Sequence, residues 1–357
     1  MFYRTVKIFL INIIIFFSFI LTIELFIFIF FNKSKLDCTY LMCGQTLNYK
    51  INNFGNFQDY EVIYKRDEYG FRDRHKNLQD IDILVVGGST TDQRWSIDKD
   101  TWINKLEEKL KKHFNKDIDV VNGGIDGQST FGHLWNFNNW YNKLDSFSPK
   151  YIIFYIGINE DLNLSPEKIK KNRLRADAPL DTTNLNLFIK IKNILKKNNA
   201  IVYRGYTFIN TVLFKNEHYK EVYHSPDRKK KNYQIPNKSI LTNNISVKNL
   251  SENLEKLYNH TIKINSIPIF VSQKTLRGKL INEQIFSINE FDYYSYEKLI
   301  SNIIINFCEN KKIFCINANK KLNFLTEDSY DLVHLTPEGS KKVSKLLFDQ
   351  LKFELKF

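Results

Sequence analysis

Five short runs of β-branched and aromatic residues constrain the fold of this 357-residue chain more than any other feature. Each run is continuously apolar and does not alternate with polar residues, which indicates strands that are buried on both faces. Parallel sheets covered by helices contain such strands, whereas half-exposed antiparallel sheets do not. The runs occupy residues 81–88, 118–122, 150–157, 267–273 and 312–318.

Segments of helical length with an apolar stripe and a charged opposite face lie between these runs. The clearest are residues 101–114, 246–265 and 295–310, and a last one begins at Pro337, a residue type favoured in a first helical turn. Alternation of buried strands with amphipathic helices predicts an α/β fold. We expect a three-layer α/β/α, flavodoxin-like sandwich with a five-stranded parallel sheet.

The apolar segment Ile8–Phe31 predicts a transmembrane helix in front of this domain. A helix of this length rises roughly 36 Å, which is enough to cross the hydrocarbon core of a membrane. No small-residue cleavage site follows it, so we expect a retained anchor. Basic residues flank it on both sides, which leaves its orientation open. Glu24 inside the span is either protonated or paired with another membrane helix, or it tilts toward the outer interface.

The chain carries 52 Lys and Arg residues against 39 Asp and Glu residues, a net charge of +13. These basic residues form no stripe interleaved with aromatic residues, so a nucleic-acid partner is not expected. The excess is explained either by a general bias toward Lys, Asn and Ile or by attraction to anionic lipids or an acidic glycan.

The four cysteines form two pairs that are close in sequence, Cys38 with Cys43 and Cys308 with Cys315. Two small disulfide loops would persist only in an oxidising compartment, which predicts a domain outside the cytoplasm. The alternative for the second pair is two buried thiols. No cysteine has histidine neighbours at zinc-ligand spacing, so neither a metal nor a cofactor is expected.

The composition divides the chain into segments of different character. The long stretch between the third and fourth strands is an insertion that either forms a lid or elaborates the surface. The predicted segments are a tail (1–7), the anchor (8–31), a stalk or N-terminal flap (32–79) and the α/β domain (80–357), with the insertion at about 160–260.

The first strand ends in VVGGSTTDQ, which places Ser89 in a glycine-rich turn. Ligands of open parallel sheets bind outside the carboxyl ends of the strands. Taken alone, Ser89 is equally well explained as ordinary loop chemistry or as a helix N-cap. A phosphate-binding loop is excluded because no lysine follows at the required position.

Four blocks, VVGGSTTDQ, VNGGIDGQST, YIGINED and DLVHLTPEG, follow one another at predicted strand ends and before the last helix. In this order they resemble the sequence blocks of the SGNH/GDSL hydrolase superfamily. The YGFR motif and the preceding membrane span look like its membrane-anchored bacterial members that carry GGSTT. The resemblance implies Ser89 as nucleophile, Asp331 and His334 as its triad partners, and Ser89, Gly127 and Asn159 as donors of the oxyanion hole.

The sequence departs from the family pattern at two positions beside these residues. Gly88 stands where the family name has Asp, which removes a carboxylate next to the nucleophile. Glu160 stands where Asp often follows the asparagine of the third block, which puts a supporting contact in doubt.

Three further residues are candidates for contact with substrate. Gln273 ends the fourth strand at the same sheet edge, although a polar residue there often only terminates the strand. Arg94 and Trp95 lie just past the nucleophile and are predicted to line a pocket, with packing as the alternative for the tryptophan.

Three functions are compatible with these residues. The first is an esterase that removes an acyl group, with acetyl favoured, from a cell-envelope glycan or lipid. The second is an O-acyltransferase that passes the acyl group to a sugar hydroxyl through the same acyl-serine intermediate. The third is a non-catalytic binding or assembly module. The complete Ser-Gly-Asn-Asp-His set favours an enzyme, and we expect water as the acceptor.

Overall fold

The computed structural model describes residues 2–31, 36, 38–52, 59–72, 77–160, 220–223, 232–237 and 244–357. The chain divides into two compact units, one formed by 1–40 with 181–218 and the other by 41–180 with 219–357. Most of the predicted insertion lies outside the described residues.

The second unit contains ten described strands. They are β1 (Thr46–Asn52), β2 (Tyr60–Lys65), β3 (Ile83–Gly87), β4 (Val120–Asn122), β5 (Tyr151–Ile156), β6 (Lys220–Tyr223), β7 (Ile267–Ser272), β8 (Gly278–Ile281), β9 (Gln284–Ser287) and β10 (Cys315–Asn317).

Nine α-helices are described. They are α1 (Phe2–Phe31), α2 (Cys38–Leu41), α3 (Ser89–Asp92), α4 (Trp102–Phe114), α5 (Thr130–Asn139), α6 (Asn244–Lys263), α7 (Tyr293–Lys311), α8 (Ala318–Lys321) and α9 (Pro337–Leu351).

The five predicted buried strands form one parallel sheet in the order β10–β7–β5–β3–β4. Among these five strands, β3 comes first in the chain, and it lies between β4 and β5, which come second and third. This order is that of a flavodoxin-like sheet, and the point where it reverses lies between β3 and β5. The predicted α/β fold is confirmed.

Alternate residues of these strands pack against helices on opposite faces of the sheet. On one face, Val85 and Ile153 belong to a buried cluster that includes Leu106 of α4 and Leu347 of α9. On the other, Phe154 packs against a ring of α5 and against Phe270, whose ring also contacts α7. Burial on both faces explains why the strands are continuously apolar.

The segment 32–79, predicted as a stalk or N-terminal flap, contains two strands of a small sheet. β1 and β2 pair in antiparallel register, and β6 adds in parallel to β1. Tyr49, Ile51, Val62 and Tyr64 are buried in a small core that also includes Tyr330, so β1 and β2 pack against the α/β domain. The alternation of buried and exposed residues in β2 is typical of a half-buried strand but extends over only six residues. The third strand comes from a segment more than 150 positions away, which a local pattern cannot reveal.

The helix α1 is the one described helix that is long and apolar enough to cross a membrane, over Tyr3–Ile23. Its position near the N-terminus and its composition also suit a signal sequence. The retained anchor therefore stays a prediction, and the side chain of Glu24 lies outside the description.

One of the two predicted disulfides is confirmed. Cys308 near the end of α7 is bonded to Cys315 at the start of β10, with their Cα atoms 6.2 Å apart. Cys43 is also disulfide-bonded. The side chain of Cys38 lies outside the described residues, so the pairing of Cys38 with Cys43 stays a prediction.

Candidate active site

Ser89 lies where the sheet order reverses, at the carboxyl end of β3 and at the first position of α3. α3 is a single turn, and Gln93 ends it in the left-handed conformation with φ of 44°. A short turn after a buried strand exposes the serine hydroxyl at the sheet edge, and the Ser89 side chain is accordingly only half-buried.

His334 and Asp331 complete a chain of hydrogen bonds to Ser89. The His334 Nε2 atom lies 2.8 Å from Ser89 Oγ, and His334 Nδ1 lies 2.7 Å from Asp331 Oδ2. The other carboxylate oxygen of Asp331 accepts the backbone N–H groups of Val333 at 3.0 Å and His334 at 2.8 Å. The contacts predicted from the DLVH block are therefore present.

The electrostatics of Asp331 follow from these contacts. Burial raises the pKa of Asp331, but its hydrogen bonds and charge interaction with His334 outweigh burial and lower that pKa below its ordinary value. Asp331 is therefore ionised at neutral pH. An ionised carboxylate on Nδ1 fixes the tautomer in which Nδ1 carries the proton and Nε2 accepts.

Two aromatic side chains pack around His334. The ring of Tyr330 is stacked on the imidazole, with ring centroids 5.6 Å apart and planes at 11°. The Trp95 ring lies 6.2 Å from His334 and 6.0 Å from Tyr330, centroid to centroid. These contacts restrict the imidazole orientation and place the predicted residue Trp95 beside the site.

Asn159 and the loop that carries Gly127 meet next to the backbone before Ser89. Asn159 Nδ2 donates to the backbone carbonyl of Gln128 at 2.9 Å. A Cβ on Gly88 would lie 2.4 Å from Asn159 Nδ2 and 3.1 Å from the Gln128 carbonyl oxygen. The absence of a side chain at 88 thus leaves room for the Asn159 amide. Gly127 has a φ of 75°, which favours glycine.

Glu160 makes a supporting contact of its own. Its carboxylate accepts the backbone N–H of Thr130 at 2.7 Å and the Thr130 hydroxyl at 2.9 Å, at the start of α5. Asn253 of α6 also donates to that hydroxyl, at 3.0 Å. Glu160, although it stands in place of Asp, therefore still joins the loop after β5 to α5. A carboxylate is also favourable at a helix N-terminus.

The structure favours a structural role for Gln273 over substrate contact. Its side chain is 5% exposed, its amide nitrogen donates to Thr90 Oγ1 at 2.7 Å, and its amide oxygen accepts the Ile158 N–H at 3.0 Å. Both polar atoms of the side chain thus have hydrogen-bond partners inside the protein. The amide ties the turn at the end of β3 to the loop after β5.

Arg94 is partly exposed and lies close to a buried carboxylate. Its side chain is 29% exposed, and its Nη2 atom is 3.4 Å from Asp92 Oδ2. Burial lowers the pKa of Arg94, but Asp92 and Tyr64 raise it above its ordinary value. Arg94 therefore stays charged, and whether it contacts substrate remains a prediction.

The sequence analysis missed a buried polar cluster behind Ser89. We call Tyr64, Arg66, Arg72 and Asp92 the buried arginine cluster; all four side chains are 4% exposed or less. The hydrogen bond from Arg66 to Asp92 joins residues 26 positions apart, and no local pattern reveals such a pair. The available signals were the position of Asp92 three residues after Ser89 and the YGFR motif, which ends in Arg72.

In the part of the chain that the structure describes, no group of three or more His, Cys, Asp or Glu side chains could hold a metal ion.

No protein-family model and no curated protein matches the chain. Among solved structures, LAE5, an alpha/beta hydrolase enzyme from the metagenome of Lake Arreo, Spain, is 10% identical with a TM-score of 0.42, covering 77% of this chain and 96% of that one. The acetyl xylan esterase AlAXEase is 14% identical with a TM-score of 0.40, covering 75% and 98%. A GDSL-like lipase from Bacteroides thetaiotaomicron is 11% identical with a TM-score of 0.39, covering 79% and 93%.

At such TM-scores these similarities carry no argument about the reaction. The chain itself provides the evidence. The sheet order brings the blocks that follow β3, β4 and β5 to one edge, and hydrogen bonds join Ser89, His334 and Asp331 in series there. The chain thus has the α/β sandwich and the Ser–His–Asp contacts that its resemblance to the SGNH/GDSL hydrolase superfamily implies.

Proposed function

We propose that the chain is a serine-dependent ester hydrolase that forms an acyl intermediate on Ser89. The observation that carries the proposal is the series of hydrogen bonds from Asp331 through His334 to Ser89 Oγ, of 2.7 and 2.8 Å, at the carboxyl edge of the sheet. A serine hydroxyl is a weak nucleophile, and an imidazole in this position activates it by taking its proton.

The proposed reaction has two steps. Ser89 Oγ attacks the ester carbonyl while His334 Nε2 takes the hydroxyl proton, and the imidazolium then protonates the departing alcohol. In the second step His334 Nε2 takes a proton from water and the water oxygen bonds to the acyl carbon. The Ser89–acyl bond then breaks as the imidazolium returns that proton to Ser89 Oγ, which releases the free acid. Asp331 stabilises the imidazolium in both steps.

The proposed oxyanion donors are the backbone N–H groups of Ser89 and Gly127 and the side-chain amide of Asn159. The amide nitrogen of Asn159 carries two N–H bonds, and its contact with the Gln128 carbonyl uses one of them. The second remains for the carbonyl oxygen of the substrate. Each donor of this kind stabilises the transition state by about 3 kcal/mol.

The proposed substrate is an acylated cell-envelope glycan or lipid, with acetyl as the favoured acyl group. Trp95 beside His334 supports this choice, because an indole offers a sugar ring or an acyl chain a broad surface for packing. Arg94 next to it suits a substrate that carries negative charge. The apolar helix α1 and the Cys308–Cys315 disulfide support an extracytoplasmic site at the membrane.

A fluorophosphonate probe tests the nucleophile. We expect the full chain in detergent micelles to be labelled at Ser89 and to release acetate from an aryl acetate. The Ser89→Ala variant should be neither labelled nor active while its thermal unfolding stays unchanged. Labelling and turnover that survive in Ser89→Ala would place the nucleophile elsewhere.

A product assay separates hydrolysis from transfer. The full chain is incubated with an acetyl-ester donor and an unacetylated glycan, and free acetate is compared with acetylated glycan. We expect acetate to dominate. Acetylated glycan as the main product would make the chain a transferase that uses the same acyl-Ser89 intermediate.

A further inference from the structure

The carboxylate of Asp92, three residues after Ser89, is fully buried at the end of α3. Its Oδ1 atom accepts the Tyr64 hydroxyl at 2.7 Å and Arg66 Nη2 at 2.9 Å. A buried carboxylate is strongly unfavourable unless charged and hydrogen-bonding partners surround it. The nucleophile helix thus carries a buried charge whose hydrogen bonds come from β2 and from Arg66, the residue that follows it, while Arg94 lies 3.4 Å from the other carboxylate oxygen.

Arg66 contacts the other half of the site as well. The same Nη2 atom donates to the Gly124 carbonyl at 2.6 Å, in the glycine-rich loop 123–127 that ends with Gly127. Its Nε and Nη1 atoms donate to the Tyr64 hydroxyl at 2.6 Å and to the Gly70 carbonyl at 2.5 Å. One rigid guanidinium therefore links the nucleophile helix to the loop of the proposed oxyanion donor.

Two neighbouring side chains reinforce this link. Arg72 donates to the backbone carbonyls of Asp92 and Ser96. Asn122 donates from its amide to the Thr91 carbonyl at 2.8 Å, while its amide oxygen accepts the Gly124 N–H at 2.9 Å. Both ends of the link thus have more than one hydrogen bond.

External support matters here because neither part of the site is rigid by itself. α3 has four residues, and an isolated single helical turn is not stable. The facing loop 123–127 contains three glycines, the residue type with the greatest conformational freedom. The position of Ser89 relative to the oxyanion donors therefore depends on groups outside both segments.

We propose that Arg66 is a positioning residue, which holds the nucleophile helix α3 and the glycine loop 123–127 in the relative position that acyl transfer requires. The inference rests on the proposed function of Ser89. It assigns the segment that contains β1 and β2 a part in activity, because this segment supports the nucleophile helix and the glycine loop through Arg66.

A role in stability alone makes a different prediction from a role in positioning. A buried ion pair is weak evidence for stability, because desolvation offsets much of its attraction. Lysine can keep the positive charge of Arg66, but its single ammonium cannot reproduce the fork that reaches Asp92 and Gly124 together. Arg66→Lys therefore tests geometry more than charge.

The experiment compares Arg66→Lys and Asp92→Asn with the wild-type full chain in detergent micelles, at a temperature where near-ultraviolet circular dichroism shows every variant folded. We expect kcat for an aryl acetate and the rate of fluorophosphonate labelling to fall by about 10- to 100-fold, because displacements of about 1 Å cost this much. KM should change less than about threefold, because neither Arg66 nor Asp92 is placed in contact with the substrate.

The control is Leu110→Ala, a truncation in the buried face of α4 whose hydrophobic cluster includes no residue of α3 or of the loop 123–127. It should lower the melting temperature at least as much as Arg66→Lys while kcat stays within about twofold of wild type. If Arg66→Lys retains wild-type kcat, or loses no more than Leu110→Ala does, the positioning role is wrong. If the wild-type chain is not labelled at all, the proposed function fails instead.

Discussion

At the scale of single residues, Asp331 has the sharpest expected effect. Asp331→Asn keeps the size of the side chain but removes the charge that orients and stabilises the imidazole of His334. We expect kcat for an aryl acetate to fall by about 10³- to 10⁴-fold, the order of loss when the imidazole is held in the wrong tautomer. Steady-state kinetics on the folded variant measure this, and a loss below about tenfold would contradict the assigned role.

Gly88 is the second residue with a specific expectation. Gly88→Asp restores the residue in the family name, yet its Cβ would lie 2.4 Å from Asn159 Nδ2. We expect the substitution to displace the Asn159 amide and to lower kcat by about 10²-fold, the effect of losing one oxyanion donor.

Gly88→Ala is the matched control for the carboxylate, because it introduces the same Cβ without a charge. Both variants should lose kcat to a similar extent. Wild-type kcat in Gly88→Asp would mean that Asn159 adapts and that the departure from the family pattern has no steric cause.

At the scale of elements, the Cys308–Cys315 disulfide closes the turn between α7 and β10. A disulfide across seven positions restricts the unfolded chain and stabilises the folded one by about 2.5 kcal/mol in the chain-entropy description. We expect the double variant Cys308→Ser, Cys315→Ser to lose about this much free energy of unfolding in urea.

Reductant provides the control for this expectation. Wild type treated with dithiothreitol should lose at least this amount, because the reductant also opens the disulfide of Cys43. In reductant, wild type and the double variant should therefore be about equally stable. A double variant as stable as oxidised wild type would show that packing of α7 against the sheet already determines this turn.

At the scale of the whole molecule, His133 couples stability to pH. Burial lowers the pKa of His133 to about 3, while an unfolded histidine titrates near 6.5. Between these values the unfolded chain binds the proton and the folded chain does not. The stabilisation that the neutral, buried His133 provides is therefore complete above about pH 6.5, and it is lost progressively as the pH falls toward 3.

His133→Asn tests this coupling. His133 Nδ1 lies 3.1 Å from Gln128 Oε1, and an asparagine amide can supply a similar donor there. Between pH 4.5 and 6, we expect the free energy of unfolding to fall less steeply in the variant, by up to about 1.4 kcal/mol per pH unit. Measurements at pH 7.5 establish the common baseline, and identical slopes would mean that His133 is accessible to protons in the folded state.

The α/β fold was predictable because its signal is local. Four strands of the main sheet, β3, β4, β5 and β7, are almost entirely buried, and β10 at the edge is partly buried, so five continuous apolar runs predicted the sheet with boundaries within a few residues of those found. The sheet of β1 and β2 was missed because the hydrophobic cluster that it contributes to is small and because its third strand is distant in sequence.

Local sequence was enough to predict which chemical groups reach the carboxyl edge of the sheet, because Ser89, Asn159 and His334 each follow a strand or precede a helix in a recognisable block. How those groups are supported depends on the packing of distant segments. The side chain of Gln273 is hydrogen-bonded inside the protein. Arg66 donates hydrogen bonds to Asp92, which is 26 positions away, and to Gly124, which is 58 positions away. Local sequence records the order and periodicity of residues, whereas a buried charge finds its partners only when distant segments pack together.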